Sequence, residues 1–194
     1  INVILNYFPM NPKLYFLLIL LFKFQPSQAQ NQHSFSQETL LGQSLPNLYS
    51  ASIPLLPEAG KAFEEMQKEA RKAGIELEIV SAYRSYERQQ RIWNRKYTSN
   101  AKQGLSPEKN IQKIIEYSTL PGTSRHHWGT DVDLIDASKP QNGDVLLTEK
   151  FQDQGPYAPM RKWMDENASK FGFIRPYNQN PKRKGFYYEP WHYS

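Results

Sequence analysis

An α+β domain with a small, mainly antiparallel sheet flanked by helices is the fold class this sequence predicts, and three observations carry it. Helical and strand-like stretches follow one another without the repeating strand–helix–strand rhythm of a parallel sheet. The strand-like runs are short, six to eight residues each ("IELEIV", "TDVDLID", "FYYEPWHY"). The helix starts are chemically marked, by Ser85 before one and by Ser106, Pro107 and Glu108 at another.

Taken in order, residues 1–9 precede Met10 and are set aside as upstream sequence. Lys13, the nine apolar residues Leu14 to Phe22, and small residues at Ser27 and Ala29 then follow the pattern of a secretory signal. That run falls short of the roughly 20 apolar residues a bilayer span needs, so no stable membrane span is expected once a signal is removed. Residues 30–56 are rich in Ser, Gln and Asn without a sustained period and read as a flexible lead-in, with His33 a solvated histidine. Residues 57–194 are the folded domain.

Within that domain, Ala59, Ala62, Phe63, Met66 and Ala70 recur at helical spacing from Pro57, and Gly74 supplies a stop. In residues 75–80, Ile75, Leu77 and Ile79 alternate on one strand face. A helix follows Ser85, and another follows Ser106. The loop "TLPGTSRHHWG" leads into a strand over "TDVDLID". Residues 156–173 form a helix ending at Gly172, and "FYYEPWHY" is a closing strand.

Without residues 1–29 the net charge falls from +5 to +3, because Lys13 and Lys23 leave and no acid does. That balance, with no concentrated basic stripe, argues against a nucleic-acid partner. It suits an anionic polymer such as a cell wall. There is no cysteine. An exported domain without disulfides depends on its core, on a metal, or on both, and any metal site is restricted to His, Asp and Glu.

Two of the four histidines and two aspartates fall within His126 to Asp133, in "SRHHWGTDVDL". A histidine on the loop and an aspartate on the strand, with Gly129 allowing the turn, suit a zinc ion that takes imidazole nitrogen and carboxylate oxygen. Neighbours His126 and His127 are expected to point in different directions, so only one of them should be a ligand. Asp131 and Asp133 share a strand face, and spacing does not choose between them. A structural His–Asp pair explains the same residues without a metal. In "EPWHYS", Glu189 and His192 add an acid and a third imidazole. Two histidines and an aspartate leave a fourth position open, and a glutamate outside the set takes a proton from water. The alternative is an aromatic core built from Tyr187, Trp191 and His192.

Here the sequence resembles a known family. "SRHHWGTDVD" fits the Ser-x-His-x-x-Gly-x-x-x-Asp pattern, and "EPWH" the Glu-x-Trp-His pattern, of the VanY-like D-alanyl-D-alanine carboxypeptidases. "SAYRSYERQ" is similar to that family's substrate-binding segment. The three blocks come in the family's order over roughly residues 57–194.

The resemblance implies the Hedgehog/DD-peptidase fold and one zinc ion (Zn2+) per chain, held by His126, Asp133 and His192. It makes Glu189 the base that activates water and later protonates the leaving amine. Arg84 would bind the substrate's terminal carboxylate or the carbonyl oxygen as it gains charge, a task suited to its planar fork. Gln89 and Ser124 match further substrate-contacting positions. Without the family, Arg84 reads as a surface salt bridge, Ser124 as a turn residue and Gln89 as an exposed helix residue.

The implied activity is removal of a terminal D-amino acid, D-alanine above all, from peptidoglycan stem peptides, by an exported monomer. An L,D-carboxypeptidase, an endopeptidase of the same fold and a non-catalytic wall-binding module are the alternatives. One departure stands out: the family commonly carries a small residue, often Ala, where this chain has Asp131. Such a carboxylate either partners a ligand histidine or competes for the metal. His127 and Trp128 occupy variable positions that would shape the substrate cleft.

Overall fold

The sheet is built around β2 (Val132–Asp136), which is buried at all five positions. In the computed structural model, which describes residues 35–194, β2 lies between β1 (Leu77–Ser81) and β3 (His192–Tyr193), and both pairings are antiparallel. The expected export signal and residues 30–34, with His33, lie outside the described residues. Among the described residues no helix is long and apolar enough to cross a membrane.

The helices begin where side chains can satisfy free backbone N–H groups. The short α1 (Gln37–Leu40) starts at Ser36, whose Oγ accepts from Thr39 N–H at 3.2 Å. Pro57 opens α2 (Pro57–Lys72), where its missing N–H costs nothing. Glu58 in the first turn and Arg71 and Lys72 in the last complement the helix dipole. Ser85 caps α3 (Tyr86–Lys102), and Ser106 caps α4 (Pro107–Ile115). The next helix, α5 (Ala158–Asn167), tightens into a 3-10 turn (Ala168–Phe171) and stops at Gly172, whose φ is +84°. Two further 3-10 turns cover Arg125–Trp128 and Thr148–Phe151.

Phe63, Met66 and Ala70 of α2 pack with Leu77, Val132, Leu134 and Ile135 of the sheet and with Met160 and Met164 of α5. Phe63 meets Phe173 edge to face with ring centroids 6.4 Å apart, and Phe151 stacks on Tyr157 at 5.0 Å and Trp191 at 5.7 Å. The α+β class, the small antiparallel sheet and the inward face of the first long helix are therefore as the sequence predicts.

Two expectations need correction. The closing strand is two residues long, not eight. Pro190 has no N–H to give a ladder, and the neighbouring amides bond to loops instead: Tyr187 N–H to Glu116 O and Glu189 N–H to Tyr177 O, each at 3.0 Å. The first strand likewise runs over Leu77–Ser81 rather than 75–80, although Ile75 and Leu77 are buried as expected.

The second correction concerns residues 35–56, which are not a flexible lead-in. Leu55 is fully buried and Ile53 joins the core. Leu56 N–H donates to Gly129 O (2.7 Å), Tyr83 N–H to Pro54 O (3.0 Å) and Tyr86 N–H to Gly42 O (2.7 Å). Tyr49 lies so close to α2 that a Cβ at Gly60 would sit 2.3 Å from it. Backbone hydrogen bonds of this kind hold an irregular segment without leaving any period in the sequence.

Leu55→Ala should therefore cost about 2–5 kcal/mol in denaturant unfolding, as for other fully buried leucines. A chain trimmed to start at Pro57 should unfold at lower denaturant than one starting at residue 35.

Candidate metal centre and its cleft

The register of the sheet decides where the polar residues meet. Asp133 lies opposite Ser81 on one side and opposite His192 on the other, so the three form a row across the sheet. His126 reaches the same point from the 3-10 turn before β2. Arg84 N–H donates to His126 O (3.0 Å), and His126 Nδ1–H donates to Ala82 O (2.9 Å). Gly129, with φ of +72°, then turns the chain into the strand.

His126, Asp133 and His192 are all buried and present ligand atoms within 4.8 Å of one another. His126 Nε2 lies 3.3 Å from Asp133 Oδ2, and His192 Nδ1 lies 2.9 Å from Asp133 Oδ1. The two imidazoles are perpendicular, with centroids 4.9 Å apart. With Nδ1 of His126 committed to a carbonyl, Nε2 is the nitrogen it can offer a metal. Two imidazoles and a carboxylate without thiolate form a donor set that fits zinc in the three-ligand arrangement of a catalytic site.

Charge is concentrated here. Burial disfavours the ionised form of Asp133, yet His126 and His192 hold its carboxyl well below the usual range. Burial likewise opposes a charge on His192, but the hydrogen bonds it donates to Asp131 and Asp133 push it up to about 9. Glu189 is buried with Oε2 3.8 Å from His192 Nδ1, and desolvation raises its carboxyl to about 7, with Asp133 adding and His192, Lys96 and Arg84 opposing. A carboxyl poised near neutrality beside an open ligand position has the properties of a general base.

These residues line one cleft of about 570 Å³, whose walls include Arg84, Ser124, His126, Asp133, Glu189 and His192. Arg84 Nη1–H donates to Gln89 Oε1 (2.7 Å) and Nη2–H to Ser81 Oγ (2.9 Å), while Nη2 lies 3.8 Å from Asp133 Oδ2. The guanidinium is thus fixed beside the ligand carboxylate rather than engaged in a surface salt bridge.

Gln89 does not line the cleft. It is fully buried, accepts from Arg84 and donates from Nε2 to Thr119 O (2.7 Å), so it orients Arg84 and the loop before the 3-10 turn. His127 is not a wall of the cleft either. Its Nδ1–H donates to Arg84 O (2.5 Å), and its Nε2 accepts from Gly122 N–H (3.1 Å). Its ring fills the space at Gly42, where a Cβ would come 2.4 Å from Nδ1. Desolvation lowers its pKa, consistent with a neutral structural imidazole. Trp128 is exposed, and the Arg125 guanidinium stacks 4.8 Å from its ring.

Sequence reasoning missed Lys96 and Tyr177. Lys96 falls seven residues after Gln89, with Ile92 between them, so all three share a face of α3, and Ile92 and Lys96 line the cleft. That spacing was the available signal. Tyr177 lies on an irregular segment and left none. Its ring stacks on His192 at 4.8 Å, and burial pushes its hydroxyl up to about 12, so it remains a donor.

A family profile for VanY, D-alanyl-D-alanine carboxypeptidase, matches residues 52–194. The chain belongs to this family. Among curated relatives, YodJ of Bacillus subtilis is 38% identical over 136 residues, covering 70% of this chain and 44% of that protein. A D-alanyl-D-alanine carboxypeptidase of Enterococcus faecalis is 30% identical over 125 residues, covering 64% and 41%. The chain thus spans less than half the length of these two relatives.

Among solved structures, VanY from the VanB-type resistance cassette has been seen with Zn(II) (24% identical, TM-score 0.60, covering 76% of this chain and 75% of that one). VanYB with D-alanine-D-alanine is 25% identical at TM-score 0.61, covering 76% and 74%. The LD-carboxypeptidase LdcB is 30% identical at TM-score 0.56, covering 77% and 65%. The architecture of this VanY-family chain is shared with all three.

In a metal titration of this VanY-family chain, His126→Ala and His192→Ala should each abolish stoichiometric metal. His127→Ala should lose stability through two broken buried hydrogen bonds, at about 1–3 kcal/mol each, while its folded fraction still loads one ion. Elemental analysis beside denaturant unfolding checks both halves.

Proposed function

We propose that the chain is an exported zinc carboxypeptidase, acting as a monomer, that removes a terminal D-amino acid from peptidoglycan stem peptides. Residues 57–194 are its catalytic part and residues 1–29 carry its export signal. The observation that supports this most directly is the buried His126–Asp133–His192 set facing the same cleft as Glu189 and Arg84. Zinc in the relative from the VanB-type cassette and D-alanine-D-alanine in VanYB support the choice of metal and ligand class.

His126, Asp133 and His192 hold the ion. When bound, zinc polarises a carbonyl and lowers the pKa of a water toward about 7. Glu189 takes the proton of the attacking water and passes it to the departing amine, which its position beside the ligands and its raised pKa support. Arg84 keeps three of its five N–H groups beyond those given to Gln89 and Ser81. Held beside Asp133, it stabilises the oxygen on which charge develops. Ser124 lies on the same wall and contacts substrate, while Gln89 acts through Arg84.

Lys96 takes the other anionic feature of the substrate, its C-terminal carboxylate. It is half-buried in the cleft wall without a carboxylate in ion-pair distance among the described residues, although burial depresses its pKa. The likeness to LdcB, at 30% identity, supports a second reading in which the bond cut is an L,D bond of the tetrapeptide.

Mass spectrometry of stem tetra- and pentapeptides incubated with the zinc-loaded chain tests the proposal. Loss of one alanine from the pentapeptide is expected; loss from the tetrapeptide alone selects L,D cleavage, and loss from neither rejects the carboxypeptidase. Glu189→Ala should keep zinc and lower turnover by about 10²–10⁴-fold. Lys96→Met should raise KM for a free-acid peptide more than it lowers kcat; an unchanged KM would remove Lys96 from substrate recognition.

A further inference from the structure

The carboxylate of Asp131, where the family resemblance leads one to expect a small residue, is fully buried and makes four polar contacts. Its Oδ1 accepts from His192 Nε2–H at 2.9 Å and from Arg125 Nε–H at 2.7 Å. Its Oδ2 accepts from Thr130 Oγ1–H at 2.9 Å and from Ser194 Oγ–H at 3.2 Å. Arg125 Nη2 in turn donates to Ser194 Oγ, and the guanidinium packs on Trp128. Every oxygen is thus used, and the buried negative charge has its own cation.

The consequence falls on His192. A ring with both nitrogens free to rotate offers a metal either one. Both nitrogens face a carboxylate at 2.9 Å, but Asp133 belongs to the donor set and Asp131 does not. An acceptor-only Asp131 keeps its proton on Nε2, so Nδ1 is the nitrogen left for a metal that replaces the proton shared with Asp133. The other ligand histidine is oriented differently: His126 Nδ1–H rests on the neutral Ala82 carbonyl. An alanine at 131 would provide no acceptor for His192 Nε2, and Arg125 would lose its partner.

We propose that Asp131 is a positioning residue that locks the tautomer and orientation of His192 and thereby raises the metal affinity of the site. This rests on the zinc reading above but makes no demand on which peptide bond is cut. A carboxylate behind a ligand imidazole also increases its basicity, and loss of such a partner typically weakens metal binding about 10–100-fold.

The test is zinc affinity, measured by competition with a chromophoric chelator on the full chain, for wild type, Asp131→Ala, Asp131→Asn and Leu55→Ala. Asp131→Ala should bind zinc about 10–100-fold more weakly. Asp131→Asn keeps the size and one acceptor without the charge, and should fall between. Leu55→Ala lowers stability through a core side chain that does not line the cleft, and should leave the affinity unchanged. Nitrogen-15 spectra of the zinc-loaded wild type should show His192 protonated at Nε2, and the Asp131→Ala spectra should lose that single tautomer.

An affinity in both Asp131 variants within threefold of wild type would overturn the proposal. So would an equal loss in Leu55→Ala, which would reduce Asp131 to a structural brace. Tight zinc binding by wild type with no peptide hydrolysis would reject the proposed function, and the affinity ranking would still decide the role of Asp131.

Discussion

The pairing of Asp133 with His192 across two short antiparallel strands is the constraint on which the rest of the site depends. β3 is only two residues long, and its register against β2 sets the imidazole beside the carboxylate. A shift of one residue would turn both side chains to opposite faces of the sheet. The register is held by what surrounds it: Trp191 O accepts from Leu134 N–H at 3.0 Å, and Trp191 and Tyr193 are buried in the core. Core packing on either side of His192 therefore fixes the site between them. Ser81 extends the row on the other side of β2 and accepts a hydrogen bond from Arg84.

Burying Asp131, Asp133 and Glu189 together is costly unless each carboxylate finds compensation. The first two find it in imidazoles and in Arg125. Glu189 lies 3.8 Å from His192 Nδ1, beyond hydrogen-bond distance, and its carboxyl is pushed toward neutrality, with His192, Lys96 and Arg84 only partly opposing the desolvation. The same burial thus produces two kinds of acid: carboxylates held ionised beside cations, and one whose proton is easily gained and lost. That contrast of environments sets Glu189 apart from the two aspartates, as the proposed division between metal ligand and base requires.

The positions that the sequence assigned to the site split along a line visible only in three dimensions. His126, Asp133, His192, Glu189, Arg84 and Ser124 converge on one cleft. Gln89 supports it from behind, and His127, adjacent to a ligand candidate, instead ties the loop to Arg84 and to Gly42. Residues 35–56 enter the argument through this contact. A segment without periodicity braces the loop that carries His126, because backbone hydrogen bonds and a glycine-sized gap do the holding.

By itself the sequence determined the class of fold, the helix starts, the inward face of α2 and the residue types from which a metal site can be made. These are local matters: caps act within one turn, periodicity records which face is buried, and a cysteine-free chain leaves only His, Asp and Glu as strong donors. It also carried the three ordered blocks that mark the family. The tertiary structure decided how Asp131 and Asp133 divide their work, since both touch His192 and spacing gave them the same face. It decided that Gln89 and His127 are braces, that Lys96 and Tyr177 line the cleft, and that the last strand stops at two residues. Each of those outcomes depends on contacts between segments tens of residues apart. Local pattern does not encode such contacts, because any polar side chain satisfies the same local rules whether its partner is water or a buried ring.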